Sequence, residues 1–303
     1  MSEPTFATLV SRWYEENARD LPWRKPGVSP WAILVSEVML QQTPVVRVLP
    51  AYEAWLARWP VPAALAAESP AEAIRMWGRL GYPRRALRLR ECATAIVERH
   101  GGKVPDRLDQ LLALPGVGTY TARAVAAFAY GQRHPVVDTN VRRVVCRAVA
   151  GEPDAGPATR PADLLATEAL LPAEPAAAAL ASAAFMELGA VICTARSPRC
   201  DLCPVESTCA WRASGQAAPA GPTRRPQRYA GTDRQVRGLL LGVLRETTGP
   251  VPRQRLDQVW TDGAQRTRAL SGLVQDGLVE PVDDDSYRLV GDGPSVPLPD
   301  LTH

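Results

Sequence analysis

The sequence predicts a mainly α-helical chain that closes with a small winged-helix-like module. Three observations predict it. Apolar residues recur at helical spacing in one segment after another. A glycine turn, Leu114-Pro115-Gly116-Val117-Gly118, feeds at once into a helical pattern carried by Ala122, Val125, Ala126 and Ala129. Near the end, three helical stretches precede a short extended pair around Asp283-Asp284-Asp285.

At 303 residues, 46% of them hydrophobic, the chain is long enough for about two domains with real cores. No run of 18 or more apolar residues appears, so no membrane partner is expected. The start, Met-Ser-Glu-Pro-Thr-Phe, lacks a basic stretch followed by an apolar one, which makes a cytoplasmic location the expectation. A net charge of +3 argues only weakly for a nucleic-acid partner. Basic runs at Arg84-Arg85, Arg88, Arg90 and at Arg142-Arg143 read as solvated helix faces, with a DNA footprint as the rival.

Residues 1–28 read as one helix through Phe6, Leu9, Val10, Trp13 and Tyr14, ending in Leu21-Pro22-Trp23-Arg24. Pro26, Gly27 and Pro30 then break the pattern. Residues 31–43 form an apolar helix with one acid, Glu37, in its middle. A buried carboxyl there needs a partner, water or a task, and apolar neighbours favour its protonated form. The other reading puts Glu37 on an exposed face. The helix closes on Gln41, Gln42 and Thr43, whose amides suit base edges or plain solvent. Short amphipathic helices follow to residue 100, and Leu80-Gly81-Tyr82-Pro83 is a turn with an aromatic tip able to stack on a base.

The glycine turn presents free backbone N–H groups before a helix, an arrangement that suits a phosphate. Beyond that helix, Val136-Val137 delivers Asp138 to the start of the next one. Asp138 there is either a helix cap or a reacting carboxylate. Cys193, Cys200, Cys203 and Cys209 then crowd into seventeen positions. Disulfides are disfavoured in a cytosolic chain. Spacing alone admits zinc or a [4Fe–4S] cluster equally. Cys92 and Cys146 sit in helical patterns and read as buried thiols.

Residues 213–231, rich in Pro, Ala and Gly, read as a linker. Helices are expected over about 233–245, 253–260 and 264–275, and strands at Leu278–Glu280 and Tyr287–Val290.

Together these motifs resemble the helix-hairpin-helix DNA glycosylases, the superfamily of endonuclease III. Ser36-Glu37-Val38-Met39-Leu40-Gln41-Gln42-Thr43 resembles the signature of its adenine-specific branch, the MutY family. The likeness runs from about residue 6 to 211 and implies a [4Fe–4S] cluster on the four cysteines. It implies an iron–sulfur helical domain from residues 1–28 plus 133–212 and a six-helix domain from 29–132. The linker 213–231, the module 232–292 and a flexible tail 293–303 complete the expected organisation.

The resemblance also implies a monomer that binds double-stranded DNA containing a mispair, on the bacterial nucleoid. There it removes adenine paired with 8-oxoguanine or guanine. Glu37 would protonate the leaving base and Asp138 would stabilise the sugar cation, with Tyr120 and Asn140 assisting. Arg24, Gln41, Gln42, Thr43, Tyr82, Leu114, Gly116, Val117 and Gly118 would contact DNA. Endonuclease III-type enzymes carry a lysine where this chain has Tyr120, so strand cleavage through an enzyme imine is not expected. Thymine-mismatch glycosylases share that tyrosine but carry arginines in place of Gln41-Gln42. Thr139 replaces the family's usual glycine, Pro83 replaces a second aromatic, and residues 232–303 do not resemble the family's Nudix-like domain.

Overall fold

The computed structural model describes residues 4–156, 158–216 and 229–293. Its helices, in order, are α1 (Phe6–Asn17), α2 (Pro30–Leu40), α3 (Val45–Arg58), α4 (Pro62–Ala66), α5 (Pro70–Trp77), α6 (Arg84–His100), α7 (Leu108–Leu112) and α8 (Thr119–Tyr130). They continue with α9 (Thr139–Val145), α10 (Pro161–Leu170), α11 (Pro175–Val191), α12 (Ala210–Ala213), α13 (Asp233–Arg245), α14 (Arg253–Asp257) and α15 (Gly263–Gln275). Three strands, β1 (Val251–Pro252), β2 (Val279–Asp283) and β3 (Ser286–Leu289), lie in the last segment. The first helix is shorter than the sequence suggested. It stops at Asn17, and Pro22–Arg24 forms a separate 3-10 turn.

The described residues fall into two compact units. One holds 4–34, 106–113 and 117–216; the other holds 35–105, 114–116 and 229–293. These limits differ from the expected boundaries at 28 and 132. The physical reason is the packing of α8, whose Ala124 and Ala127 share a small core with Val136 and with Ala179 of α11. The main core of the first unit joins α1, α9 and α11 through Val10, Val141, Val144, Phe185 and Leu188.

In the second unit, Trp55 meets Trp59 and Trp77 edge-on, at 4.6 and 5.6 Å between ring centroids. Pro70 opens α5 under a Ser69 cap that accepts from Glu72 N at 3.2 Å.

The last segment has the expected three helices and a wing, with one strand more. Its sheet runs β1-β3-β2, all antiparallel, with a bulge between Pro281 and Asp283. At two residues β1 is too short to show alternation, which is why sequence pattern misses it. This segment shares a core with α5: Ala71 and Ile74 lie among Val236, Leu240, Leu270 and Leu289. Burying Ile74 there contributes about 2 kcal/mol. Arg75 Nη2 donates to Asp292 Oδ2 at 2.5 Å and to Thr247 O at 2.8 Å, and Arg245 Nε to Ile74 O at 3.0 Å. Most of the expected linker and nearly all of the tail, 217–228 and 294–303, lie outside the described residues.

Candidate functional site

Asp138 follows the buried pair Val136-Val137 and caps α9. Its Oδ1 accepts from Asn140 N at 2.9 Å and Val141 N at 2.7 Å, while Oδ2 accepts from Asn140 Nδ2 at 2.8 Å. The cap is therefore present, and the second oxygen is held as well. Burial pushes the Asp138 carboxyl up from its ordinary value, against the hydrogen bonds from Val141 and Asn140 and the charge of Arg143. Asn140 is oriented in turn, because its Oδ1 accepts from Arg143 Nη2 at 2.8 Å. Arg143 also reaches Gly189 O and Cys193 O, both at 2.6 Å. A Cβ on Gly189 would sit 2.7 Å from Asn140 Cβ, so a glycine lets α11 approach the start of α9 this closely.

Tyr120 occupies the first turn of α8, half-buried against the Ala124, Ala127, Val136 and Ala179 core. Arg24 is not a lone cation. It shares the fully buried carboxylate of Glu187 with Arg19: Arg24 Nη2 lies 2.8 Å from Oε2, and Arg19 Nε 2.6 Å from Oε1. Arg24 Nη1 is buried and has no hydrogen-bond partner. Sequence reasoning missed Glu187, although it is the one acid of an apolar, alanine-rich helix, the same signal that marked Glu37.

Burial alone would raise the Glu187 carboxyl; its bonds to Arg19 and Arg24 overcome that and hold it down at about 2. A lowered carboxylate adds stability above its unfolded value, and that contribution is lost as pH falls from 4.5 towards about 2. Glu187→Gln is expected to cost about 3 kcal/mol at neutral pH, because it strands buried guanidinium charge. Thermal denaturation should show a midpoint lowered by roughly 10 °C. The difference from the wild type should begin to narrow as pH falls below 4.5, where the unfolded chain takes up the proton, and should be largely gone by about 2.

In the second unit, Glu37 is buried at 6% exposure, with Ser36 and Met39 at 0% beside it in α2. Of the two sequence readings, the exposed face is thus excluded. Gln41 is half-buried and Gln42 exposed. Thr43 does not point outward as expected. It is buried, donates to Gln41 O at 3.3 Å and Leu80 O at 3.4 Å, and accepts from Arg85. Tyr82 is 56% exposed at its loop tip.

The glycine turn also needs correcting in part. Leu114 and Val117 are buried at 3% and 7%, so their side chains anchor the turn. Gly116 has φ +75°, and a Cβ there would stand 2.9 Å from Arg88 Cβ. Gly118 is extended backbone at φ −91°, with open space where a Cβ would sit, so no forbidden angle requires glycine there.

The basic runs are largely neither solvated faces nor DNA footprints. Arg85, Arg90 and Arg142 turn their guanidiniums onto backbone carbonyls, and Arg142 also pairs with Asp163 at 2.9 Å. Arg84 and Arg88 are more than half exposed and pair with Asp276 and Glu91.

Cys193, Cys200, Cys203 and Cys209 line one cavity, walled also by Val144, Leu188, Ile192 and Trp211. None is in a disulfide. Arg147 Nη1 donates to Cys193 Sγ at 3.7 Å and Gln216 Nε2 to Cys200 Sγ at 3.2 Å. Arg147 also binds Thr194 O and Ala195 O and stacks 4.4 Å from the Trp211 ring centroid. Four thiols on an apolar wall, with donors aimed at two sulfurs, fit the ligand set of an iron–sulfur cluster. Cys92 is buried as expected; Cys146 is only half-buried, at the start of a π-helical turn, Cys146–Ala150.

Residues 35–166 match the HhH-GPD superfamily of base excision DNA repair proteins, and residues 193–209 match the iron–sulfur binding domain of endonuclease III. The adenine DNA glycosylase of Mycolicibacterium smegmatis is 60% identical over 283 residues, which span 93% of this chain and 94% of that protein. That of Mycobacterium tuberculosis is 58% identical over 287 residues, 94% of each. A solved thermostable thymine-DNA glycosylase has a TM-score of 0.61 at 27% identity, covering 69% of this chain and 95% of that one.

Proposed function

Because this chain belongs to the adenine DNA glycosylases of the helix-hairpin-helix superfamily, we propose that Glu37 and Asp138 are its catalytic carboxyls. The chain is a base excision repair enzyme that binds DNA and carries a [4Fe–4S] cluster. Its target in this reading is adenine opposite 8-oxoguanine or guanine. The base leaves the stack before any side chain can reach it. Glu37 gives a proton to the departing adenine at N7, and the glycosidic bond then breaks towards an oxocarbenium-like sugar. Asp138, ionised, stabilises that cation or traps it briefly as an ester; water then adds at C1′, leaving an abasic sugar and returning Asp138 to its free carboxylate.

The observation that carries this reading is the hold on Asp138. Three N–H donors, two of them from Asn140, fix both its oxygens within 2.9 Å. They favour the ionised form against a burial that opposes it. Such a carboxylate is pre-aimed and poorly solvated, which suits a cation that forms only in the transition state. Tyr120 supports a monofunctional enzyme, since a phenol cannot form the imine that strand cleavage needs. Gln42 and Tyr82 enter the duplex beside the lesion, the exposed amides at Gly116 and Gly118 face a phosphate, and Arg24 Nη1 offers a donor to the purine.

Cys193, Cys200, Cys203 and Cys209 hold the cluster, which supplies structural cross-linking and no step of the reaction. Cys200→Ser is expected to lose the brown absorbance of the purified protein and lower its thermal midpoint. A colourless wild type containing zinc would overturn the ligand assignment.

The test of the whole reading is single-turnover base release from A·8-oxoguanine, A·G and T·G duplexes, with and without alkali. The expected result is release from the two adenine pairs only, and strand breaks only after alkali. Faster release of thymine from T·G would overturn it.

A further inference from the structure

Gln42 and Tyr82 share an unusual backbone. Their φ angles are +54° and +46°, and Gln216 is the only other residue without glycine's freedom in that region among those described. Left-handed backbone costs a side-chain-bearing residue about 1 kcal/mol, so something nearby must hold each loop.

One side chain touches both. Arg85, in the first turn of α6, sends Nη1 to Val38 O at 2.8 Å, Met39 O at 3.2 Å and Gln41 O at 2.6 Å. These carbonyls belong to the end of α2 and its exit, which have no further helical turn to satisfy them. Nη2 bonds Thr43 Oγ1 at 3.0 Å and Gly81 O at 3.2 Å. The same guanidinium lies 5.3 Å from the Trp77 ring and 5.4 Å from the Tyr82 ring. Gly81 O also accepts from Trp77 Nε1 at 2.9 Å, and Thr43 Oγ1 bonds Leu80 O at 3.4 Å. Burial lowers the Arg85 guanidinium to about 10, so it is still charged at neutral pH.

We infer that Arg85 is a positioning residue that joins the Gln42 and Tyr82 loops into one rigid clamp, so that both side chains enter a mispaired duplex together. The inference rests on the reading above that these two residues penetrate DNA. A planar fork with several donors is needed to span the gap; a lysine has one nitrogen and cannot reach both loops in the same geometry.

The test is a double-mutant cycle on binding to an A·G duplex carrying an uncleavable 2′-fluoro adenine nucleotide. Gln42→Ala and Tyr82→Ala are each expected to weaken binding about tenfold, and the double variant about tenfold to thirtyfold instead of a hundredfold. In an Arg85→Lys background the two effects should become independent and multiply. Thr43→Val, which removes one acceptor of the guanidinium, should reduce the coupling partway and serves where Arg85→Lys does not fold, as judged by thermal midpoint. Fluorescence of a 2-aminopurine next to the mispair should report loss of insertion by both loops when either is truncated. If neither alanine variant weakens binding, the loops do not penetrate and the clamp falls with that reading. If each weakens it and the effects multiply in the wild-type background, the loops act but the clamp is refuted. Coupling that survives in both the Arg85→Lys and Thr43→Val backgrounds also refutes it.

Discussion

Asp138→Asn is expected to lower single-turnover adenine release by about a thousandfold while leaving the fold and DNA binding intact. The cap survives, since asparagine caps a helix as well as aspartate does, and its oxygen can still accept from Asn140 N and Val141 N. What disappears is the charge that meets the sugar cation. The stability change has opposing parts. Because burial raises this carboxyl, the folded chain holds its proton more tightly than the unfolded chain does. Its favourable contribution is therefore complete at low pH and fades as pH rises through the raised folded value. A neutral side chain at pH 7 escapes that desolvation cost.

Against this, the new NH2 faces Asn140 Nδ2, which now donates to Oδ2 at 2.8 Å. Asn140 cannot simply turn over, because its Oδ1 is occupied by Arg143. One hydrogen bond is lost, worth about 1 kcal/mol. The thermal midpoint should thus move by only a few degrees, in contrast to the collapse of activity. Wild-type activity should also fall on the acid side, with a midpoint above the ordinary aspartate value of 3.8. An unchanged single-turnover rate would remove Asp138 from the chemistry.

The parts of this molecule that the sequence displays are those built from local pattern. The glycine turn, the acid amid the apolar residues of α2 and the close cysteines all declare themselves, as do the three helices of the last segment, because each depends on spacing within some twenty positions. What sequence hides are the long side chains that reach across the fold. Arg85 and Arg143 read as solvated charges, yet each is drawn inward by carbonyls at helix ends that no further helical turn satisfies. Glu187 was legible by the rule that found Glu37, a solitary acid in an apolar helix. Its partners Arg19 and Arg24 lie more than 160 positions away, beyond the reach of any spacing rule. The burial of Thr43 and Val117 is hidden for a related reason. Each stands in a motif that meets DNA in the family, but a motif does not say which of its side chains face inward.

Glu37→Gln carries the second large effect, an expected loss of about a hundredfold to ten-thousandfold in adenine release. Glutamine keeps the length and polarity of the side chain, so Ser36, Met39 and the rest of buried α2 should pack as before. It has no acidic proton to give. Adenine is a poor leaving group as an anion and a far better one once N7 is protonated, so the whole loss should appear in the bond-breaking step and none in binding. Substrate chemistry provides the check. A duplex carrying 7-deaza-adenine has carbon where N7 would be and cannot accept the proton in any enzyme. Wild type and Glu37→Gln should process that duplex at the same very low rate, because the variant has lost only what this substrate cannot use. If Glu37→Gln were slower still on 7-deaza-adenine, the carboxyl would be acting on something other than N7, such as the attacking water. If wild type released 7-deaza-adenine as fast as adenine, protonation at N7 would not be part of the reaction.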